Sequence, residues 1–270
     1  KIIQYYIKKK LNYFQYIIKI NAVLYYFIIT VVKLIYNVKR FRSTLRIIGG
    51  DEAPTYFGHF HASLQNLTGS HVCGGAVVSG RHVVTAAHCV QGAEPENIKV
   101  VVGTTNLDDG GDQYDVEGIH IYDDFNFSQR TNDIAIIKMT KPFDSNDVEI
   151  IKLDANHLNE DDEVILTGFG ALQANGDSSR LMHVLELTVF SQGTCQYAMR
   201  NTRDVTDNMF CTFTRIGEGT CHGDSGGPLT KENKLVGLVS WGIPCAVGFP
   251  DVHTRIAPYF EWIQNQIQHF

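Results

Sequence analysis

The chain has no Cys-x-x-Cys pair, no internal repeat, no uncharged apolar run of spanning length, and few cations over most of its length. Each absence removes a class of function. The one long uncharged, mostly apolar stretch, Ile20 to Val32, holds 13 residues between Lys19 and Lys33. A membrane-spanning helix needs about 20, and this length suits a secretory apolar region better. Without paired Cys-x-x-Cys spacing, zinc is not suggested for Cys73, Cys89, Cys195, Cys211, Cys221 and Cys245. Their even number favours disulfides and an oxidising compartment, with the pairing left open by spacing alone. Lys and Arg total 23 against 29 Asp and Glu, but ten of the basic residues and none of the acidic ones fall in residues 1–46. Removing those ten leaves 13 against 29, a formal charge of −16 for residues 47–270 with histidine neutral. Phosphate contacts need clustered cations, so no nucleic-acid partner is expected.

What is present divides at Arg46-Ile47-Ile48-Gly49-Gly50. Ile, Tyr and Lys make up 23 of the first 46 positions, and the sequence does not begin with Met. Residues 1–46 therefore read as a leader or propeptide, signal-like, part of it of the A/T-rich codon usage expected of translated untranslated sequence. A signal anchor over residues 20–36 is the alternative, with Lys19 and Lys33 snorkelling. From residue 47 the pattern is of short strands with turn residues between them, which predicts an all-β protein. Val72 to Val78 and His82 to Ala87 flank Ser79-Gly80-Arg81 as a hairpin. Lys99 to Gly103, Ile134 to Ile137, Val164 to Leu166, Leu185 to Phe190 and Leu235 to Trp241 continue the pattern. A helix is predicted at the end, with Pro258 in its first turn and Tyr259, Ile263 and Ile267 on one face.

Three stretches carry chemistry. Cys221 to Pro228 sets Ser225 between Gly223 and Gly226, in a loop where backbone N–H groups can converge on a developing oxyanion. A serine hydroxyl is a poor nucleophile without a base beside it. Thr85-Ala86-Ala87-His88-Cys89 offers that base after an apolar strand. Asn132-Asp133 puts a carboxylate at the mouth of another apolar strand, and a buried carboxylate is costly unless hydrogen-bonded. Orienting an imidazole is one way to satisfy it.

The order His88, Asp133, Ser225 is that of one protease class. With Ile47-Ile48-Gly49-Gly50, Cys73-Gly74-Gly75, Asp133-Ile134-Ala135-Ile136, Gly168-Phe169-Gly170, Gly223 to Pro228 and Ser240-Trp241-Gly242, residues 47–270 resemble a chymotrypsin/trypsin-type serine endopeptidase over essentially their whole length. The resemblance implies two six-stranded antiparallel β-barrels with the active site between them. The first would cover about 47–150, the second about 151–256, and the C-terminal helix about 257–269. It implies Ser225 as nucleophile, His88 as general base and acid, Asp133 as the group fixing the imidazole, and Gly223 and Ser225 as oxyanion donors. It implies disulfides 73–89, 195–211 and 221–245. Arg46-Ile47 resembles a zymogen activation bond whose new amine would pair with Asp224, and a leader without cysteine would then leave.

The pocket departs from the better-known members. Gly219 stands where trypsin-like members carry Asp, followed by Thr220, so the floor is small and nearly neutral. Asp251 stands where glycine is usual, and His253 where an aromatic is common. This exchange resembles invertebrate broad-specificity, collagenolytic and insect chymotrypsin-like members. Asp251 and His253 share a face of an extended segment, so the pair is expected to neutralise itself and leave a slot for a large apolar P1 side chain. An ionised Asp251 attracting Lys or Arg is the alternative. His222 is expected at the pocket rim, and Ser240-Trp241-Gly242 as the segment pairing with substrate backbone. The acidic loop Thr104 to Asp115 opens with threonines where calcium-binding relatives start with an acid, so a solvated loop is expected, and neither metal nor cofactor. Asn66-Leu67-Thr68 and Asn126-Phe127-Ser128 fit the glycosylation sequon. The expectation is a secreted, monomeric, digestive or venom-type zymogen protease acting on proteins and peptides. An activating trypsin-like protease and protease inhibitors would be its partners. A trypsin-like cascade protease, or a non-catalytic homologue used in binding or defence, is the competing reading.

Overall fold

The computed structural model describes residues 48–144 and 146–270. The leader, Arg46 and Ile47 lie outside the described residues. Fourteen strands follow in order, beginning with the short β1 (Asp51–Glu52). β2 (His61–Gln65), β3 (His71–Val77), β4 (His82–Thr85), β5 (Lys99–Val102), β6 (Asp112–Ile121) and β7 (Ala135–Met139) close a barrel in the order β2-β3-β4-β7-β6-β5. After β8 (Lys152–Leu153) come β9 (Glu163–Gly168), β10 (His183–Phe190), β11 (Met209–Thr212), β12 (Pro228–Lys231), β13 (Lys234–Trp241) and β14 (Asp251–Arg255). These last six also close on themselves, because β9 pairs with both β10 and β12. The two six-stranded barrels that the resemblance implies are therefore both present. β1 adds to β10, and β8 joins β13 as a parallel pair.

The apolar sequence around β7 shows why the barrels stay together. Side chains alternate across a strand. Ala135, Ile137 and Met139 point into the first barrel's core beside Val77, Val83 and Tyr114. Ile134 and Ile136 point the other way, into a cluster shared with Leu235 and Leu238 of β13 and Ile263 of the C-terminal helix. A run buried on both faces must be continuously apolar, as this one is. The second barrel has its own core, where Leu185, Leu187 and Val189 of β10 meet Leu166, Phe210 and Leu229.

Among the described residues there are three short helices: α1 (Ala87–Val90), α2 (Gln192–Met199) and α3 (Phe260–His269). A 3-10 turn, Ala257–Tyr259, carries Pro258 and leads into α3. Tyr259 and Ile263 are buried and Ile267 packs against the same cluster, so the predicted face is the packed one. Among the described residues no helix is long and apolar enough to cross a membrane.

Candidate active site

The pairing of β4 with β7 builds the first half of the site. The strands are antiparallel, with Thr85 opposite Ala135, so the exit of β4 lies beside the entrance of β7. His88, three residues past Thr85, thus meets Asp133, two residues ahead of Ala135. Its Nδ1 lies 2.7 Å from Asp133 Oδ2. A carboxylate oxygen accepts, so Nδ1 carries the hydrogen and Nε2 is left with a lone pair. The His88 backbone N–H donates to Oδ1 at 2.9 Å, and the Ser240 hydroxyl donates to Oδ2 at 2.6 Å. Asp133 has no exposed surface, and these three donors answer its burial. Asn132, in a left-handed conformation (φ 54°), is held by the Tyr259 hydroxyl at 2.7 Å. The Thr254 hydroxyl holds the Asp133 carbonyl at 2.9 Å. The Cys73–Cys89 disulfide ties the histidine turn to β3, and closing a loop of this size stabilises by about 3 kcal/mol.

The second half hangs from the loop between β11 and β12. The Ser225 carbonyl accepts from Gly74 N–H at 2.8 Å, and Gly226 N–H donates to Val239 at 2.8 Å. Gly226 has φ 74°, and a Cβ there would lie 2.3 Å from Thr85 Oγ1 and 3.1 Å from Ala86 N. Only glycine lets the serine loop close onto the segment that carries His88. Gly223, also with positive φ, gives its carbonyl to His71 Nε2 at 2.9 Å, while His71 Nδ1 meets the Ser63 hydroxyl at 2.8 Å. Burial pushes His71 down to about 4, partly opposed by the Gly223 hydrogen bond. It stays neutral, accepts from Ser63 and donates to Gly223. Sequence reasoning missed Ser63 and His71, which meet only through the register of β2 and β3, and no local signal marks them.

Asp224 is buried beneath this loop. Its oxygens accept from Gly170 N–H at 3.0 Å and Cys221 N–H at 2.9 Å, and burial pushes it up to about 7. The start of the described chain runs nearby. Ile48 packs with Ala171 and the Cys221–Cys245 disulfide, and its carbonyl accepts from Gly219 N–H at 3.1 Å.

Gly219, Thr220 and Asp251, the residues expected at the pocket base, lie together. A Cβ on Gly219 would lie 2.6 Å from Asp251 Oδ2, so the Asp251 carboxylate fills the space a side chain at 219 would take. Oδ2 accepts from Thr220 N–H at 2.7 Å. Oδ1 has no hydrogen-bond partner among the described residues and faces Gly242, whose Cβ would lie 3.0 Å away. Burial pushes Asp251 up to about 7. The expected Asp251–His253 pair does not form. His253 gives Nε2 to the Thr212 hydroxyl at 2.8 Å and lies 5.1 Å from the Phe210 ring, its cross-strand partner. Burial holds it neutral, at about 3. Trp241 is buried opposite Val252 at a register shift in β13. The His222 side chain is exposed. A third disulfide, Cys195–Cys211, pins α2 to β11.

Carboxylates of the acidic loop go to separate partners. Asp108 pairs with Arg180 at 2.7 Å and Asp115 with Lys99 at 2.5 Å. Asn66 and Asn126 sit in exposed turns, each bonded by the hydroxyl of its own sequon.

An imidazole fixed by a buried carboxylate can act as a general base, and Gly226 brings the loop of Ser225 against the segment that carries it. Known proteins agree. A sequence model described as Trypsin matches residues 47–263. Chymotrypsin-2 of Vespa crabro is 37% identical over 224 residues, 82% of this chain and 100% of its own length. The vitellin-degrading protease of Bombyx mori is 34% identical over 228 residues, covering 83% and 86% of the two chains. Trypsin 5G1 of Aedes aegypti is 34% identical over 230 residues, with the same coverage. On its sequence, its two barrels and these likenesses, the chain belongs to the trypsin family and is a serine endopeptidase.

Proposed function

We propose that the protein is a secreted zymogen protease in which Ser225 attacks the scissile carbonyl while His88 takes its proton. The N–H groups of Gly223 and Ser225 hold the oxyanion. His88 then returns the proton to the leaving amine, and water releases the acyl group by the same steps in reverse. Losing one oxyanion donor costs about 10²- to 10³-fold in kcat. The observation that carries this reading is the His88 ring held through Nδ1 by the fully buried Asp133, which leaves Nε2 as the base.

Cleavage after Arg46 by a trypsin-like protease would supply the amine of Ile47 to Asp224. The burial of Asp224 supports this, because a carboxylate pushed up to about 7 by desolvation gains most from a cation beside it. Three disulfides fit an extracellular enzyme. The protease acts as a monomer and is open to protease inhibitors.

At P1 we assign a large apolar or mixed preference, with Ser240-Trp241-Gly242 pairing with substrate backbone. The pocket base has no fixed charge while Asp251 is protonated. A second reading, cleavage after Lys or Arg, is favoured by one observation, the unpartnered Asp251 Oδ1. Peptides differing only at P1, offered to the protein before and after cleavage at Arg46, test all three points. The expected result is hydrolysis after Phe, Tyr or Leu by the cleaved form alone, lost in Ser225→Ala. Full activity of the uncleaved form would overturn the activation step, and strong preference for Arg at all pH values would overturn the pocket assignment.

A further inference from the structure

Two guanidinium groups gather near Trp241, Arg203 facing its ring and Arg130 lying on the Phe127-Ser128 turn that Arg203 also reaches, and neither forms an ion pair with a carboxylate among the described residues. Arg130 lies three positions before Asp133, in a left-handed backbone conformation (φ 58°) that a long side chain adopts only when its surroundings hold it. Its guanidinium rests on the Phe127 ring, 4.2 Å from the centroid. Arg203, which follows α2, donates from Nε to the Ser128 carbonyl at 3.0 Å. Its guanidinium lies 5.4 Å from the centroid of the Trp241 ring. Each cation thus lies over an aromatic face, within cation–π range.

The charges are close enough to oppose each other. Burial is the main force against the charge on Arg130, and the positive charge of Arg203 adds to it; Asp133 partly offsets both. Yet no hydrogen bond joins Asp133 to Arg130; its oxygens accept from His88 and Ser240. Arg130 Nη1 is shielded from water and has no hydrogen-bond partner. Positive charge is therefore left over near Trp241, in the segment assigned to pairing with substrate backbone. A chain paired along Ser240–Gly242 with its P1 side chain toward Asp251 carries its preceding residues across Trp241. Its side chains alternate in direction as they go.

We infer that Arg130 and Arg203 form a subsite for a carboxylate side chain, so that the enzyme favours substrates with Asp or Glu two to four residues before the scissile bond. The inference rests on the endopeptidase reading and adds a charge preference to it. A guanidinium fork matches a carboxylate in bidentate geometry.

The test uses three pairs of peptides, each pair differing only by Glu or Gln at P2, P3 or P4. Wild-type enzyme cleaved after Arg46, Arg130→Gln and Arg203→Gln are each normalised by titration of the reactive serine. At low salt the Glu peptide should be favoured about tenfold in kcat/KM at one or more positions, and the ratio should fall with added salt. It should shrink toward one in either variant. A wild-type ratio near one at all three positions overturns the inference, as does a ratio kept in both variants. If Arg130→Gln does not fold, the Arg203→Gln ratio and the salt dependence decide. Cleaved wild-type protein that hydrolyses neither member of any pair would contradict the endopeptidase reading itself, and the inference with it.

Discussion

Asp133, at the mouth of the first barrel, and Asp251, at the start of the last strand of the second, are both removed from water but supplied very differently. Asp133 is met by three donors, two of them from the residue it orients. Asp251 has the Thr220 N–H on one oxygen and no hydrogen bond on the other. A buried acceptor left without a donor costs about 1–3 kcal/mol, and protonation is the way a carboxylate relieves that cost. The contrast follows from architecture. Strand pairing and a disulfide deliver donors to Asp133, whereas Asp251 faces two glycines, Gly219 and Gly242, and is bonded by Thr220 alone among the described residues. A fully supplied carboxylate suits a fixed role in the reaction, and an undersupplied one suits a role in choosing substrates.

The sharpest way to break this contrast is Asp133→Asn. The amide keeps the shape but presents a donor to Nδ1 and favours the wrong imidazole tautomer, so kcat should fall about 10⁴-fold. Steady-state turnover per titrated serine measures it, and a loss below tenfold would mean Asp133 does not orient His88. Ser240→Ala removes one of the three donors and leaves the pair intact. Its kcat should fall about tenfold, with the alkaline limb of the pH profile unchanged; a loss as large as that of Asp133→Asn would mean the serine, not the imidazole, is the main partner.

The smallest effect concerns Asp251. Its pKa is raised to about 7, so it is neutral below that pH and charged above it. The ratio of cleavage after Arg to cleavage after Phe should therefore rise severalfold between about pH 6 and 8, and stay flat in Asp251→Asn. The same shift has a stability sign. A carboxylate raised above its unfolded value gives stability that is full below about pH 4 and lost as pH rises through about 7. Thermal denaturation of Asp251→Asn should accordingly lack that part of the decline between these values.

The parts of this structure that were legible in the sequence are those made by neighbours along the chain. The β3–β4 hairpin announces itself by Ser79-Gly80-Arg81 between apolar runs, and β7 by its unbroken Ile-Ala-Ile-Ile. The motifs around His88, Asp133 and Ser225 are equally local. β6 was hidden by its acids. Read with the structure, Tyr114 and Val116 point inward, while Asp115 and Glu117 point outward to Lys99 and Lys138. The alternation was there, inside what reads as an acidic loop. β12, β14 and α2 are too short or too polar to show a period; α2 buries only Cys195 and Met199. Contacts across register are invisible to a linear reading. Hence Ser63 and His71 behind Gly223, and Arg203 against Trp241, emerge only in three dimensions. The Asp251–His253 pair failed for the same reason: His253 found its partners on β11, across the sheet.

In the proposed mechanism Ser225 is a nucleophile activated by His88 and Asp133 once the chain is cut after Arg46. Reaction with a serine-directed phosphonate, followed by mass mapping of the adduct, tests it most directly. One adduct is expected, on Ser225, forming on the cleaved protein, slowly or not at all on the uncleaved one, and not on Asp133→Asn within the same time. No adduct on the cleaved protein, or equal labelling before and after cleavage, would contradict it.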